Sequence, residues 1–563
     1  MTPHARFIQR RYDKMKKSLK VCSLLLALLL TLTTFVSCDV SGIIDLLEKA
    51  NQSSGRPSDT VETEAQTSRV EITYDTLMPE PEDTEPETPD EPETPGEPET
   101  PDDGNNSGNT GNTPDDGNNN SGNANKAPVP HKDWEGREFS VLSVEESYEP
   151  NFEIVGEKNG NKISQAVYER NQTIKEMYNV NIAAYGAAKD DGLDTLWAVI
   201  ASGDADFDLV FLYRDNMATA ILSGFMNDLT KVEYIDLENE WYNQSTLESM
   251  KVSGHLLHMV SDFSLIDKAR TNVLFLNRDL ADDNQIPDIV SMVKNDSWTV
   301  EKMYAYASAV AADNGDGIMD LDDTWGFAMG GKEAASSIWS SLGNKVVTVG
   351  ANNSYSIGLA SEHSLNSIDA IEKLVAKDIS FQGNQFGTYN DCMDTFVDER
   401  MLFMSETLGA IEDVSAEANF RFTVIPYPMY DTEQGAYYTT NDNTYCATYG
   451  IPVSAGDSSF SGFMVEVLSW QSHNTTFPAY YDVACKVQNS YDAECAEMLD
   501  MVFDGLVFDF GLVYSQNIKY VRGMIEKAVY NGTDITAEYE SREAAMCARI
   551  EMIFETINMN TEE

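Results

Sequence analysis

The chain reads as an α/β protein whose folded head has two lobes, preceded by a leader and a long tether. Three observations carry that reading. Strand and helix signals alternate with short turns from Arg137 to Ile425, the pattern of parallel strands joined by crossover helices. The head, about 430 residues from Asp133 onward, exceeds what one core normally serves, so two lobes are expected. Finally, "FDLVFL" (Phe207–Leu212) is almost continuously apolar, as expected of a strand covered on both faces.

In chain order, residues 1–37 form a leader. Arg6, Arg10, Arg11, Lys14, Lys16, Lys17 and Lys20 precede an apolar run from Val21 to Val36, the layout of a secretory signal. The run is short for a spanning helix, which needs about 20 apolar residues. It stops at Val36-Ser37-Cys38, which resembles a bacterial lipobox, with Phe35 where Leu is usual. Lipidation at Cys38 is therefore expected, and acyl chains at roughly 0.8 kcal/mol per CH₂ would hold the protein on a membrane.

Residues 38–132 cannot build a core. "EPETP" begins at Glu85, Glu91 and Glu97, and "PDDGNN" at Pro101 and Pro114. Proline without apolar partners favours solvated polyproline geometry, and like charges extend it further. This segment is read as a disordered stalk; a Pro-rich run of about thirty residues would reach on the order of 90 Å.

The head starts with a strand, "REFSVLSV". Ile163, Ala166, Val167, Ile174, Met177 and Tyr178 then recur at helical spacing, with Asn179 as the stop. "VNIAAYG" is the second strand, Gly192–Ser202 the second helix and Phe207–Leu212 the third strand. "TNVLFLNRDL" repeats the strand-to-helix theme, and Val300, Met303, Tyr304, Ala307, Val310 and Ala311 make one apolar helix face.

Charge excludes one class of partner. The chain carries 93 acidic and 38 basic side chains, a net charge of −55, and nucleic-acid binding needs phosphate-neutralising cations. Cysteines are sparse: beyond Cys22 and Cys38 there are Cys392, Cys446, Cys485, Cys495 and Cys547, with no CxxC pair. Whether Cys485 and Cys495 pair is left open by the spacing.

The head resembles the extracellular solute-binding proteins of ABC importers, with the type 2 periplasmic-binding fold, in particular the large carbohydrate-type binders of Gram-positive gut anaerobes. The similarity is carried in order by "ISQAVYERNQTIKEMYNVNI", "FDLVFL…ILSGFMNDL", "ENEWYNQ", "GHLLHMVSDFSL", "VLFLNRDLADD", "NGDGIMDLDDTWGF", "FVDERMLFMSETLGAI", "FTVIPYPMYD" and "PAYYDVACK…MLDMVFD". It implies a solute-binding domain over 133–563. One lobe would hold about 134–265 and 437–475, the other about 266–436 and 476–563. Hinges would lie near Asp262–Asp267, Ala436–Asn441 and Asn474–Pro478. It also implies capture of a small solute, an oligosaccharide foremost, and its delivery to ABC permease subunits from the outer face of the membrane.

Open α/β sheets bind ligands beyond the carboxyl ends of their strands. That places Tyr213, Arg214 and Asp215 after the third strand. In the same way Glu406 and Thr407 of "SETLG" follow the strand Met401–Met404; by the similarity, Trp241 and Tyr242 of "EWYNQ", Asp262 and Phe263 at one crossing, and Asn441 and Asn443 at another crossing complete the expected site. Aromatic faces that stack on sugar C–H surfaces, beside carboxylates and amides that pair hydroxyls, suit a carbohydrate.

"ADNGDGIMDLDD" (Ala312–Asp323) nearly fits the EF-hand loop. Asn314, Asp316, Asp320 and Asp323 take the third, fifth, ninth and twelfth positions, but Ala312 stands where the first ligand belongs. Both a structural Ca²⁺ and a polar surface turn fit this pattern; no cofactor is required otherwise. No GxSxG, P-loop, GxGxxG or HExxH is present, and the six histidines are scattered. The protein is therefore read as a binder and not an enzyme. A lipid-anchored carbohydrate-active enzyme using two of the many acids, or a surface glycan-binding lipoprotein without a transport role, are the alternatives.

Overall fold

The computed structural model describes residues 127–145, 152–188, 191–331, 334–382, 389–441, 445–486 and 493–561. The leader, Cys38 and the stalk up to residue 126 lie outside the described residues. Among the described residues no helix is long and apolar enough to cross a membrane.

The first lobe is built on strand β1 (Arg137–Glu145), helix α1 (Lys162–Tyr178), β2 (Val180–Ala188), α2 (Gly192–Ser202), β3 (Leu209–Tyr213) and α3 (Arg214–Leu222). β1 pairs in parallel with β2 and with β3, because each is followed by a helix that returns the chain to the same end of the sheet. α1 starts where the Asn161 side chain accepts the Ser164 N–H at 2.8 Å and stops at Asn179, which sits in the left-handed region at φ 52°. Those are the capping roles for which asparagine is suited. The buried face of α1 is Ile163, Val167, Arg170, Ile174 and Tyr178. Every residue of β3 is buried, in keeping with its continuous apolar sequence.

The chain crosses to the second lobe through the short helix α4 (Ile266–Ala269) and enters β4 (Asn272–Asn277), followed by α5 (Val300–Val310), β5 (Trp325–Met329), α6 (Glu362–Leu374), β6 (Ser380–Gln382), β7 (Met401–Thr407) and β8 (Phe422–Ile425). This sheet runs β8-β4-β7-β5-β6 and is mixed: β4 is antiparallel to both neighbours, while β7, β5 and β6 are parallel. Trp298, Trp325 and Trp339 are all in its cores. Each indole N–H is satisfied, by Pro426 O at 3.3 Å, Asp320 O at 3.1 Å and Ser364 Oγ at 3.0 Å respectively.

The chain returns to the first sheet in β9 (Ala447–Gly450), which adds antiparallel to β3 with Ala447 opposite Tyr213. The two crossings lie side by side: Asn272 N–H donates to Thr440 O at 3.0 Å and Thr439 Oγ1 to Asn272 O at 2.7 Å. α7 (Ser458–Asn474) and α8 (Thr476–Lys486) pack on α1, α9 (Ala493–Asp504) on β8, and α10 (Arg522–Asn531) on α6. The last helix, α11 (Glu543–Thr561), lies against α3.

The expected division gave 476–563 to the second lobe. α8 touches both lobes: it packs on α1, while its Tyr480 and Ala484 join the apolar cluster of Val273, Phe275 and Met404 on second-lobe strands; α11 lies against α3 of the first lobe. The apolar stripe Met546, Ile550, Ile553 and Ile557 of α11 announces that a face must be covered. It does not encode whose face does the covering.

Candidate functional site

A groove of about 840 Å³ opens between the two sheets. On one side it meets Ser143 and Val144 at the end of β1, Phe211 and Tyr213 at the end of β3, and Tyr445 and Ala447 at the start of β9. The other side is Asn272 at the start of β4, Gly330 and Gly331 after β5, Ser405, Glu406 and Thr407 at the end of β7, and Glu412 and Asp413 on the helix that follows. The crossing supplies Ile266, Ala269 and Arg270, and Phe152, Glu153, Asn161, Tyr480, Val483 and Ala484 close the back. Parallel strand ends thus face the groove from both lobes, where helix N-termini and loop side chains are free of the sheet ladders.

Of the expected site residues, Tyr213, Glu406 and Thr407 line this groove. Tyr213 is 4 % exposed and stands edge-on to Tyr445, ring centres 6.2 Å apart at 88°. Glu406 Oε1 accepts the Thr407 N–H at 2.8 Å, which fixes the carboxylate at the strand end.

The others are placed elsewhere, each for a visible reason. Arg214 is buried, donating from Nη2 to Asn441 O at 3.0 Å, with its guanidinium 5.0 Å from the Phe508 ring. Asp215 faces Arg522, Arg214 and Gln516; burial raises its pKa and these partners oppose the rise. Trp241 is 6 % exposed and Tyr242 2 %. The Tyr242 hydroxyl donates to Glu466 at 2.8 Å, and Asn239 Nδ2 donates to the same carboxylate at 2.6 Å. The expected stacking pair is therefore first-lobe core, because a buried acid on α7 gives the hydroxyl an internal partner. Phe263 is fully buried, T-shaped against Phe211 at 5.7 Å. Asp262 lies 2.6 Å from His473 Nδ1 and raises the imidazole pKa chiefly through that hydrogen bond. Asn441 is fully buried and spends its Nδ2 on Asp267 O at 2.5 Å and Thr271 Oγ1 at 3.1 Å. It ties the crossings together. Asn443 lies outside the described residues.

Several groove residues were not anticipated. Tyr445 is 40 % exposed, and the Arg270 guanidinium lies 5.8 Å from its ring centre, within reach of a cation–π attraction. Tyr445 stands two positions after the expected Asn443, in the same "TTNDNTY" segment, so the segment carried the signal and the residue choice missed it. Asn272 donates from Nδ2 to Ser337 Oγ at 3.0 Å and Thr440 O at 2.8 Å. Glu153 is buried at the back wall. One of its oxygens accepts the N–H groups of Leu265 and Ile266 at 2.5 and 2.8 Å, and burial pushes its pKa up to about 8. Beneath it Arg170 donates to Ser472 Oγ at 3.0 Å and Glu153 O at 2.8 Å. Nothing in the local sequence marks Glu153 or Arg170, since their partners come from other elements.

The acidic loop also resolves into local contacts. Asp323 accepts Asn314 N–H at 2.8 Å and Asp320 N–H at 2.5 Å, one on each oxygen. Asp313 accepts Gly315 and Gly317 N–H, Asn314 accepts Asp316 N–H, Asp316 accepts Ile318 N–H and Asp320 accepts Asp322 N–H. Each carboxylate or amide thus closes a turn of its own. Among the described residues, no three acidic, histidine or cysteine side chains gather where they could hold one metal ion.

Two α/β lobes, joined by paired crossings and separated by a groove at their strand ends, define the class: a two-lobed solute-binding fold. The chain belongs to the family of bacterial extracellular solute-binding proteins, whose model matches residues 170–459, just over half of it. Curated protein sequences give no match. Among solved structures it is similar to an ABC substrate-binding protein from Listeria monocytogenes in complex with cycloalternan (13% identity, 75% of this chain and 99% of that one, TM-score 0.46). It is also similar to UspC of M. tuberculosis (13%, 73% and 100%, TM-score 0.49) and to the cyclic α-maltosyl-1,6-maltose binding protein of Arthrobacter globiformis (12%, 75% and 98%, TM-score 0.48).

Proposed function

We propose that the protein captures a neutral oligosaccharide in the interlobe groove and hands it to an ABC importer, held at the outer membrane face by lipid on Cys38. The reading rests on one observation: the groove combines exposed aromatic surface at Tyr445 with Arg270 on the crossing and Asn272, Ser405, Glu406 and Thr407 on the opposing strand ends. Its volume, about 840 Å³, falls in the range of sites for small organic ligands. A sugar ring offers a C–H face to an aromatic ring and hydroxyls to charged and amide groups, and each hydroxyl buried without a partner costs roughly 1–3 kcal/mol. Both needs are met within one groove. The protein would bind and release its solute unchanged.

Titration calorimetry against neutral oligosaccharides, amino acids and short peptides tests this, with product analysis after long incubation. Saturable binding of an oligosaccharide without new products is the expected result. Tight binding of a peptide with none of any sugar removes the carbohydrate assignment, and steady release of shorter sugars makes the protein an enzyme. Mass spectrometry of the mature N-terminal peptide tests the anchor: an unmodified Cys38 peptide rejects it.

A further inference from the structure

The wall of the groove contributed by α8 ends in a thiol. Tyr480, Val483 and Ala484 line the groove, and Cys485 follows them in the last turn of the helix. Cys495 lies in the first turn of α9, which packs on α8. Both residues are present as thiols, and a side-chain hydrogen bond between them lowers the Cys485 pKa. Both also border one apolar cluster with Tyr480, Ala484 and Leu499.

We propose that Cys485 and Cys495 are a redox-responsive pair that closes to a disulfide and staples α8 to α9 behind the groove wall. The two thiols differ in access. Cys495 is 2 % exposed, whereas Cys485 is only partly buried. The hydrogen bond with Cys495 holds the Cys485 thiol below its ordinary pKa, while burial drives the Cys392 thiol far above it. Cys485 is therefore the attacking group, because the thiolate is the nucleophile in exchange. The oxidant is a disulfide, either of a small thiol or of an oxidoreductase. The Cys485 thiolate attacks one of its sulfurs, breaking that S–S bond and expelling one thiolate. Cys495 then loses its proton and attacks the Cys485 sulfur of the mixed disulfide, expelling the second thiolate. The pair gives up two electrons and two protons, and the oxidant takes them up as two thiols. An extracellular family works where such bonds persist.

The test is to equilibrate the full chain in oxidised and in reduced glutathione buffers, trap thiols with an alkylating agent and map the peptides. The expected result is a linked Cys485–Cys495 peptide after oxidation only, with Cys392 and Cys446 alkylated only on denaturation. The oxidised chain should melt about 2–4 °C above the reduced one, and the Cys485→Ser variant should melt at one temperature in both buffers. Full alkylation of both thiols after oxidation, a glutathione adduct that stops at Cys485, a link to a different cysteine, or identical melting of the oxidised and reduced wild type would each overturn the proposal.

Discussion

Two aromatic-and-amide segments look alike in the sequence and meet opposite fates. "NEWYNQ" (Asn239–Gln244) and "NDNTY" (Asn441–Tyr445) both set rings among amides and acids. In the first, Trp241 and Tyr242 are buried, their loop gripped by Glu466 through Tyr242, Asn239 and the Asp236 N–H. In the second, Tyr445 keeps 40 % of its surface open to the groove. The difference is the presence of a buried carboxylate more than two hundred residues away in the chain. The Tyr242 hydroxyl enters the core because Glu466 supplies its partner there.

The contrast can be broken first at Trp241. If it is core, Trp241→Ala should cost about 3–5 kcal/mol of stability, read as a large fall in denaturant midpoint, while the folded fraction keeps wild-type affinity for solute. Unchanged stability with lost binding would return Trp241 to the site.

Glu153 sharpens the boundary, since it lines the groove and is buried at once. Its folded pKa of about 8 lies above the ordinary 4.5, so the folded state holds a proton that the unfolded chain releases. The stability this contributes is full below about pH 4.5 and lost as the pH rises toward 8. Relative to Glu153→Gln, the wild type should lose on the order of 3–4 kcal/mol between about pH 5 and 8. Parallel stability curves for the two proteins across that window would show that the carboxyl titrates as it does in water.

The smallest effect is expected at the open ring. Tyr445→Ala should shift melting less than Trp241→Ala does, since the Tyr445 ring is 40 % exposed, and should weaken binding of the best oligosaccharide by about 1–2 kcal/mol, roughly 5–30-fold. Equal affinity of variant and wild type would remove Tyr445 from the contact surface.

Much of the layout was legible in the sequence because it is written locally. The 3.6-residue spacing of Ile163, Val167, Ile174 and Tyr178, closed by Asn179, marks α1. The unbroken apolar run marks β3, and "SETLG" marks a strand end that reaches the groove. Tyr213, Glu406 and Thr407 followed from the rule that strand ends face the cleft. Arg270, Tyr445 and Glu153 did not, because what places them is a partner on another element.

The sequence by itself determined the order of strands and helices and the positions of their caps, since periodicity and backbone preference act within a few residues. Only the tertiary structure decided which aromatic rings face the groove, which lobe α11 covers and which two thiols meet. Those outcomes depend on whether a distant side chain satisfies a polar atom or an apolar stripe, and such partners are brought together by packing alone.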